Sequence, residues 1–284
     1  MRRGAAPEDH QEIVISASFA SVCDRGLRHV ENQDAHALAV CEVRGVPAYI
    51  AVVCDGVSSS SAGAAASQAA VQAAQQTLIH ALTLELPPRA ALVLATQVAQ
   101  RAVLAVPWTP QSMPYTLRDQ APHTTIVMAV MYHNILYYAW IGDSRIYCFT
   151  PSEAECLVVD HSWINAEIAR GTPRDAAIET ARRLRLSRAL VRSLGEEEGP
   201  AEKVIPAISE YPLFPGDIVL ICSDGLHIYG DTPSDMADVV RQFAGADAPT
   251  MARKLVEFAY TKGAIDNVTA CVFLSDAPNC RKAA

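Results

Sequence analysis

The order of apolar and polar positions predicts groups of strands that alternate with pairs of helices. Alternating or continuous apolar runs of strand length predict nine strands. They cover residues 13–23, 35–40, 48–54, 124–131, 135–141, 145–149, 207–211, 217–222 and 268–274. The run at 48–54 is apolar throughout, so we expect it to be buried on both faces. His133-Asn134 predicts a hairpin turn, and Gly142-Asp143 predicts a turn before the strand that follows it.

Several segments between these strands have apolar residues at the spacing typical of helices. An Ala/Gln-rich helix is predicted over 62–82, with Ser60 or Ser61 as its cap, and a second over 90–106. Two more are predicted over 233–243 and 249–260, and the polar segment 161–198 is expected to be mostly helical. Paired helices between hairpin-linked strands predict an α+β fold in which helices cover antiparallel sheets, rather than a doubly wound parallel sheet.

Composition narrows the class of protein. Of 284 residues, 50% are hydrophobic and 19% charged, which is typical of a globular chain with a large core. The net charge of −8 argues against nucleic-acid binding and against a basic membrane-binding surface. We find no signal peptide and no apolar run long enough to cross a membrane, so we expect a cytoplasmic protein. The domain is expected over 12–276, with a disordered tail at 1–11 and a C-terminal tail at 277–284.

The eight cysteines form no Cys-x-x-Cys pair, and most lie inside apolar runs. Buried, reduced thiols are the simplest interpretation. A zinc site or a disulfide framework remains the alternative.

Short acidic motifs recur where predicted strands end. An Asp stands beside a small or turn-forming residue in each of them: Asn32-Gln33-Asp34, Asp55-Gly56, Gly142-Asp143-Ser144-Arg145, Ser223-Asp224-Gly225-Leu226 and Asp266-Asn267-Val268-Thr269. Any one of them alone is compatible with an ordinary turn. Carboxylates at strand ends can converge at one end of a sheet, where they suit hard divalent cations such as Mg²⁺ and Mn²⁺.

The order of these motifs resembles that of the metal-dependent protein phosphatases, the PPM or type 2C serine/threonine phosphatases, in their bacterial form. The likeness runs from about residue 13 to 274, and also includes Asp24-Arg25-Gly26-Leu27, Thr124-Thr125, Asp160-His161-Ser162 and residues 190–195. The resemblance implies a four-layer α-β-β-α sandwich of two antiparallel sheets flanked by helices. It also implies a flap beside the active site at about 161–202.

The resemblance further implies hydrolysis of phosphoserine and phosphothreonine in proteins by a hydroxide that bridges two Mn²⁺ or Mg²⁺ ions, with a possible third ion. Asp55 would bridge the two metals, and Asp55, Asp224 and Asp266 would be the catalytic residues. The implied metal-binding residues are Asp34 (through water), Asp55, Gly56 (through its carbonyl), Asp143 (third metal), Asp224 and Asp266. Asn267 is expected to orient Asp266. The implied partners are phosphorylated proteins, a serine/threonine kinase among them, and the protein is expected to be a monomer.

The sequence departs from the family pattern at its substrate side. Many members have an Arg five residues before the first motif's Asp, where this chain has His29. Arg28 or a protonated His29 would then bind the substrate phosphate, with Arg25 as a further candidate. The arginines of 182–192 are most simply a solvated helix face, although they could also attract phosphorylated segments.

Two further departures concern the metal side. Gln33 replaces an acidic residue, which removes a charge near the metals. Val57 stands where some members carry a His as an acid, and a run of four serines follows it. His36 and His227 are weak candidates for the missing acid. The alternatives therefore stay open: an active protein phosphatase, a weak or inactive phosphoprotein-binding regulatory module with the same fold, or a phosphatase for small phosphoesters.

Overall fold

Two antiparallel sheets form the centre of the protein. The computed structural model describes residues 10–60, 62–109, 121–195, 204–230 and 232–275. In spatial order, the first sheet contains β1 (Gln11–Ser16), β2 (Phe19–Asp24), β11 (Val268–Leu274), β10 (Ile218–Cys222), β7 (Arg145–Phe149) and β8 (Ala154–Cys156). The second contains β3 (Asp34–Val43), β4 (Val46–Asp55), β5 (Ile126–Tyr132), β6 (Ile135–Ile141) and β9 (Ala207–Pro212).

Helices cover the outer face of each sheet. The described residues form seven: α1 (Gly63–Thr83), α2 (Pro88–Leu104), α3 (Trp163–Ala169), α4 (Arg174–Leu184), α5 (Asp224–His227), α6 (Pro233–Arg241) and α7 (Ala248–Thr261). The first two pack on the second sheet, and α6 and α7 pack on the first. A third apolar cluster fills the space between the sheets. The predicted α-β-β-α sandwich is therefore confirmed.

Strand β4 shows how the sequence produces these layers. Ile50 and Val52 belong to the cluster beneath α1 and α2, whereas Ala51 and Val53 belong to the cluster between the sheets. All four side chains are fully buried. Successive side chains of a strand point to opposite faces, so a strand covered on both sides must be apolar at every position.

Most predicted elements lie within a few residues of the observed ones, but some details were wrong. The predicted strand at 13–23 is two strands, β1 and β2, and Gln11, which we placed in the tail, begins β1. Strand β8 and helix α5 were missed. Helix α1 begins after Ala62 with no side-chain cap, so Ser60 does not cap it. Ser61, the remaining tail residues 1–9 and 276–284, and flap residues 196–202 lie outside the described residues.

The two predicted turns have different roles. His133 and Asn134, with φ of 51° and 58°, close the β5–β6 hairpin, as a type I′ turn requires. At Gly142-Asp143, the chain instead passes from β6 in the second sheet to β7 in the first. This crossing brings Asp143 to an end shared by both sheets.

The seven cysteines of the described segments are unpaired, and five of them are buried. Burial raises the pKa of the Cys23 thiol to about 12, with a smaller contribution from the nearby Asp34 charge. These thiols act as small apolar side chains of the core. Among the helices described, none has the length and apolar character needed to cross a bilayer.

Candidate functional site

Five aspartates from five separate segments meet at one end of the sandwich. Asp55 ends β4 and pairs in register with Asp34, which begins β3. Asp224 is the first residue of α5, directly after β10, and Asp266 lies just before β11. Asp143 lies in the crossing between the two sheets. All five lie close enough to interact electrostatically: burial raises the pKa values of Asp34, Asp55 and Asp143, and the charges of neighbouring aspartates raise them further.

Asp34 lies between the sheets and is held by the opposite one. Its Oδ2 accepts hydrogen bonds from the hydroxyls of Ser223 and Thr269, both at 2.6 Å, whereas its buried Oδ1 has no hydrogen-bond partner among the residues that the structure describes. Burial raises the pKa of Asp34 to about 7, with further increases from Asp224 and Asp266, although the two hydroxyls act in the opposite direction. A buried carboxylate with one unused oxygen favours a cation or an ordered water beside it.

Asp55 and Asp143 are also electrostatically crowded. Burial, followed by the charge of Asp34 and the other aspartates, raises the pKa of Asp55 well above its usual range. Burial and the neighbouring Asp224 raise the pKa of Asp143 to about 7. Carboxylates brought this close resist ionising together unless a positive charge compensates them.

Thr124 and Thr125 fix the backbone of Asp55-Gly56. The Thr124 hydroxyl donates to the Asp55 carbonyl at 2.9 Å, and the Asp55 N–H donates to the Thr125 hydroxyl at 3.0 Å. At Gly56, a Cβ would lie 2.4 Å from the Gly63 carbonyl oxygen, so only glycine allows this close approach. These contacts therefore fix the backbone that carries the Asp55 side chain and the Gly56 carbonyl.

A guanidinium group neutralises the other side of the cluster. Nη2 of Arg188 donates to Oδ2 of Asp224 and, at 2.6 Å, to Oδ2 of Asp266. The His29 Nε2 lies 3.1 Å from Oδ1 of Asp266. Within the described ranges of the chain, the buried Oδ1 of Asp224 has no hydrogen-bond partner. Sequence reasoning noted Arg188 only within a basic segment, because nothing local marks it as a neighbour of residues 36 and 78 positions away.

Asn267 ties together the two loops beside Asp266. Its Oδ1 accepts from the Gln33 N–H at 2.8 Å, and its Nδ2 donates to the carbonyls of Arg25 and Glu31. With its amide engaged in this way, Asn267 positions the segment that carries Asp266. Gln33 likewise contributes its backbone here, since its carbonyl accepts the Gly56 N–H at 3.0 Å.

A cleft of 860 Å³ opens over the aspartates. Its lining includes Asp55, Asp143, Asp224 and Asp266, together with His29, His123, Arg188 and residues 56–59. A second cavity of 490 Å³ adjoins it between the flap and the first sheet, and shares Asp143, Arg188 and Asp224 with the cleft. The site is therefore open on the flap side.

The structure shows which of the residues predicted to bind phosphate or to act as an acid line the cleft. His29 lines the cleft, whereas Arg28 is exposed and is not part of its lining. Arg25 donates to the carbonyls of His29 and Val30, and so holds its own loop.

His36 is buried and does not line the cleft, and burial lowers its pKa to about 4. His227 Nε2 donates a hydrogen bond to the Asp143 carbonyl oxygen at 3.0 Å.

His161 attaches the base of the flap to the Asp143 turn. Its Nδ1 accepts the Gly142 N–H at 3.1 Å, and its own N–H donates to the Gly142 carbonyl at 2.9 Å. The ring stacks on Trp140. Burial, with a smaller effect of the Arg192 charge, lowers the pKa of His161 to about 4.

We expect His161 to make the fold sensitive to acid. Its folded pKa lies below the usual 6.5, so the unfolded chain takes up the proton more readily and stability falls as the pH drops from about 6.5 towards 4. In His161→Asn, Oδ1 can still accept the Gly142 N–H but does not titrate. Between pH 7.5 and 5, the wild type should lose about 1–2 kcal/mol relative to this variant. Urea unfolding of both metal-free proteins at the two pH values measures this. Parallel pH profiles would contradict the assignment.

The aspartate cluster has the chemistry of a site for hard divalent cations. Its donors are carboxylate oxygens, and two buried ones, Oδ1 of Asp34 and Oδ1 of Asp224, lack partners. In the described part of the chain, no three His, Cys, Asp or Glu side chains already enclose a common ligand position. Arg188 lies between two of the carboxylates. The donor types fit such a cation, and its binding would require Arg188 and the carboxylates that it contacts to rearrange.

Comparison with known proteins assigns the family. The family model described as protein phosphatase 2C matches residues 27–258, which is most of the chain. The chain belongs to the protein phosphatase 2C family. The resemblance inferred from the motif order is thereby confirmed.

Among similar proteins, protein phosphatase PhpP of Streptococcus pneumoniae is 29% identical over 150 residues, which cover 51% of this chain and 55% of that protein. This protein phosphatase 2C chain thus spans about half the length of the curated relatives it matches. The PPM Ser-Thr phosphatase MsPP from Mycobacterium smegmatis, solved in complex with cacodylate, is 26% identical with a TM-score of 0.64, over 90% of this chain and 97% of that one.

The catalytic domain of the serine/threonine protein phosphatase PstP, solved with two manganese ions, shares the fold at 23% identity. Its TM-score is 0.64, over 89% of this chain and 96% of that one. The sandwich is therefore common to this chain, MsPP and PstP.

Proposed function

We propose that the protein is a metal-dependent protein serine/threonine phosphatase. The observation that carries this proposal is the convergence of five aspartates, two of them with buried oxygens that lack partners, in a chain of the protein phosphatase 2C family. PstP, with the same fold, was solved with two manganese ions. We infer that this chain binds Mn²⁺ or Mg²⁺ at the end of its sandwich where the aspartates meet, with two ions and a third, weaker one at Asp143.

The residues proposed to hold the ions are Asp55 and the Gly56 carbonyl, Asp224 and Asp266, with Asp34 acting through water and Asp143 at the third position. Bound divalent ions supply Lewis-acid activation of water and neutralise phosphoryl charge, which phosphate monoester hydrolysis requires. Cation binding also relieves the crowding that raises the pKa values of Asp34, Asp55 and Asp143.

The chain's own contribution is to fix these groups in place. Ser223 and Thr269 hold Asp34 from the first sheet, and Thr124 and Thr125 hold Asp55 from the second. Asn267 holds the Asp266 segment. A site assembled from rigid strand ends keeps the carboxylates in place without reorganisation during the reaction, and this preorganisation is a major source of catalytic power.

Val57 has no ionisable group, so it cannot protonate the leaving oxygen. Its N–H donates to the carbonyl of His123, whose ring lies in the cleft lining. We assign proton delivery to the departing alkoxide to solvent in the open cleft, because its flap side is accessible to water. This assignment accounts for a Val at that position in an active enzyme.

The proposed substrates are phosphoserine and phosphothreonine in proteins, including those of a serine/threonine kinase. Relatives carry the names protein phosphatase and PPM Ser-Thr phosphatase, and the cleft continues into a second cavity that could receive the polypeptide around the phosphorylated residue. We further propose that the protein acts in the cytoplasm as a monomer.

The deciding test is hydrolysis of p-nitrophenyl phosphate and of a phosphothreonine peptide by the purified protein, with Mn²⁺, with Mg²⁺ and with a chelator. We expect turnover in the presence of metal and its loss with chelator. Absence of turnover on both substrates, from folded protein that binds Mn²⁺, would favour the phosphoprotein-binding module. High turnover on metabolites with little on the peptide would favour a phosphatase for small phosphoesters.

A further inference from the structure

Arg188 lies beside the aspartates and uses only one of its three guanidinium nitrogens to contact them. Its two hydrogen bonds, to Asp224 and Asp266, both come from Nη2. Within the described part of the chain, its Nε and Nη1 have no hydrogen-bond partner. A guanidinium carries five N–H donors, so the three on Nε and Nη1 remain for another acceptor.

The side chain is placed where a substrate anion must arrive. Arg188 is 50% exposed, whereas Asp224 and Asp266 are 12% and 13% exposed, so the guanidinium lies on the open side of the carboxylates. It lines both the cleft and the adjoining cavity. Of the residues that line the cleft, Arg188 is the sole arginine or lysine.

The backbone next to Arg188 is fixed. The Trp163 N–H donates to the Ala189 carbonyl at 2.8 Å, and the Val191 N–H donates to the His161 carbonyl at 2.9 Å. These bonds join the segment that enters the flap, at residues 161–163, to the segment at residues 189–191. The fixed backbone keeps the guanidinium close to the cleft, so a bound anion has to order only the side chain of Arg188.

We propose that Arg188 binds the phosphoryl group of the substrate. A phosphate monoester carries a double negative charge into a cleft lined by four aspartates, and it needs a fixed cation at the entrance besides any bound metal. Arginine donors form strong, charge-assisted hydrogen bonds to phosphate oxygens. Arg188 would add a guanidinium contact from the flap to a cleft whose lining includes His29 but not the exposed Arg28. The inference depends on the proposed function only in taking a phosphate monoester as the ligand.

The test compares Arg188→Gln and Arg188→Lys with Arg183→Gln, which removes the same charge from an exposed position on α4. Calorimetry measures the binding of inorganic phosphate and, separately, of Mn²⁺ to each protein, and kinetics give KM and kcat for p-nitrophenyl phosphate. In Arg188→Gln, we expect phosphate to bind at least about 10-fold more weakly to the Mn²⁺-loaded protein, with KM raised more than kcat is lowered. Arg188→Lys should lie between this variant and the wild type, and Arg183→Gln should match the wild type.

Phosphate affinity in Arg188→Gln within twofold of wild type would overturn the proposal. Tighter Mn²⁺ binding with unchanged phosphate affinity would identify Arg188 as a counter-ion of the carboxylates only. Loss of Mn²⁺ binding would place it in the support of the metal site, which also overturns the proposal. If the wild type shows no turnover, the proposed function fails, yet phosphate calorimetry still decides the role of Arg188.

Discussion

Asp55→Ala is expected to lower metal-dependent turnover at least about 1000-fold, because the proposed bridging ligand is lost. Loss of an activated water and of phosphoryl charge neutralisation would cost about 4 kcal/mol or more of transition-state stabilisation. Asp34, its partner in the strand register, is not available to replace it, since Asp34 is bound to Ser223 and Thr269 from the opposite sheet. The measurement is kcat/KM on p-nitrophenyl phosphate with Mn²⁺.

The same variant should be at least as stable as the wild type when both are metal-free. Burial and the surrounding aspartates raise the pKa of Asp55 well above its usual range, so its ionised form opposes folding at pH 7.5. Urea unfolding without metal checks this. Asp238→Ala, at an exposed position paired with Arg241, is the matched control and should change neither property. An Asp55→Ala protein that folds and keeps full turnover would remove Asp55 from the mechanism.

Asp224→Asn is expected to reduce turnover at least about 100-fold and to weaken Mn²⁺ binding about 10-fold, while leaving the fold intact. Asparagine keeps the shape of the side chain and can still accept from Arg188, but it loses the negative charge that hard cations require. The buried Oδ1 of Asp224, which has no protein partner, is the atom whose charge matters most here.

Calorimetric titration with Mn²⁺ and steady-state kinetics measure the two effects, and circular dichroism confirms the fold. Asp238→Asn is the control for the loss of one carboxylate charge from the surface. Full activity in a folded Asp224→Asn protein would refute the assignment of Asp224 as a ligand.

The departures from the family pattern have different structural consequences. At Gln33, it is the backbone that links Gly56 and Asn267 through hydrogen bonds, and these bonds do not depend on an acidic side chain. His29 lines the cleft and contacts Asp266, as Arg188 does. If Arg188 binds phosphate, the change at His29 moves that function from the first loop to the flap instead of removing it.

The sequence by itself determined the layers of the fold and the identity of the acidic segments. The apolar run of β4 required cover on both faces, and the turn residues His133-Asn134 required a hairpin, since each signal depends on neighbours in the chain. The motif order was likewise enough to predict the family, which the family model confirmed.

The tertiary structure decided what depends on contacts between distant segments. It alone showed that Gly142-Asp143 crosses between the sheets, that Asp34 is held by Ser223 and Thr269, and that Arg188 rather than Arg28 lies in the cleft. The carboxyl pKa values also rise only in the folded chain, because folding buries carboxylates from five segments and places them next to one another. The contact between Asp34 and Thr269 joins residues 235 positions apart, and no local pattern of apolar and polar residues encodes it.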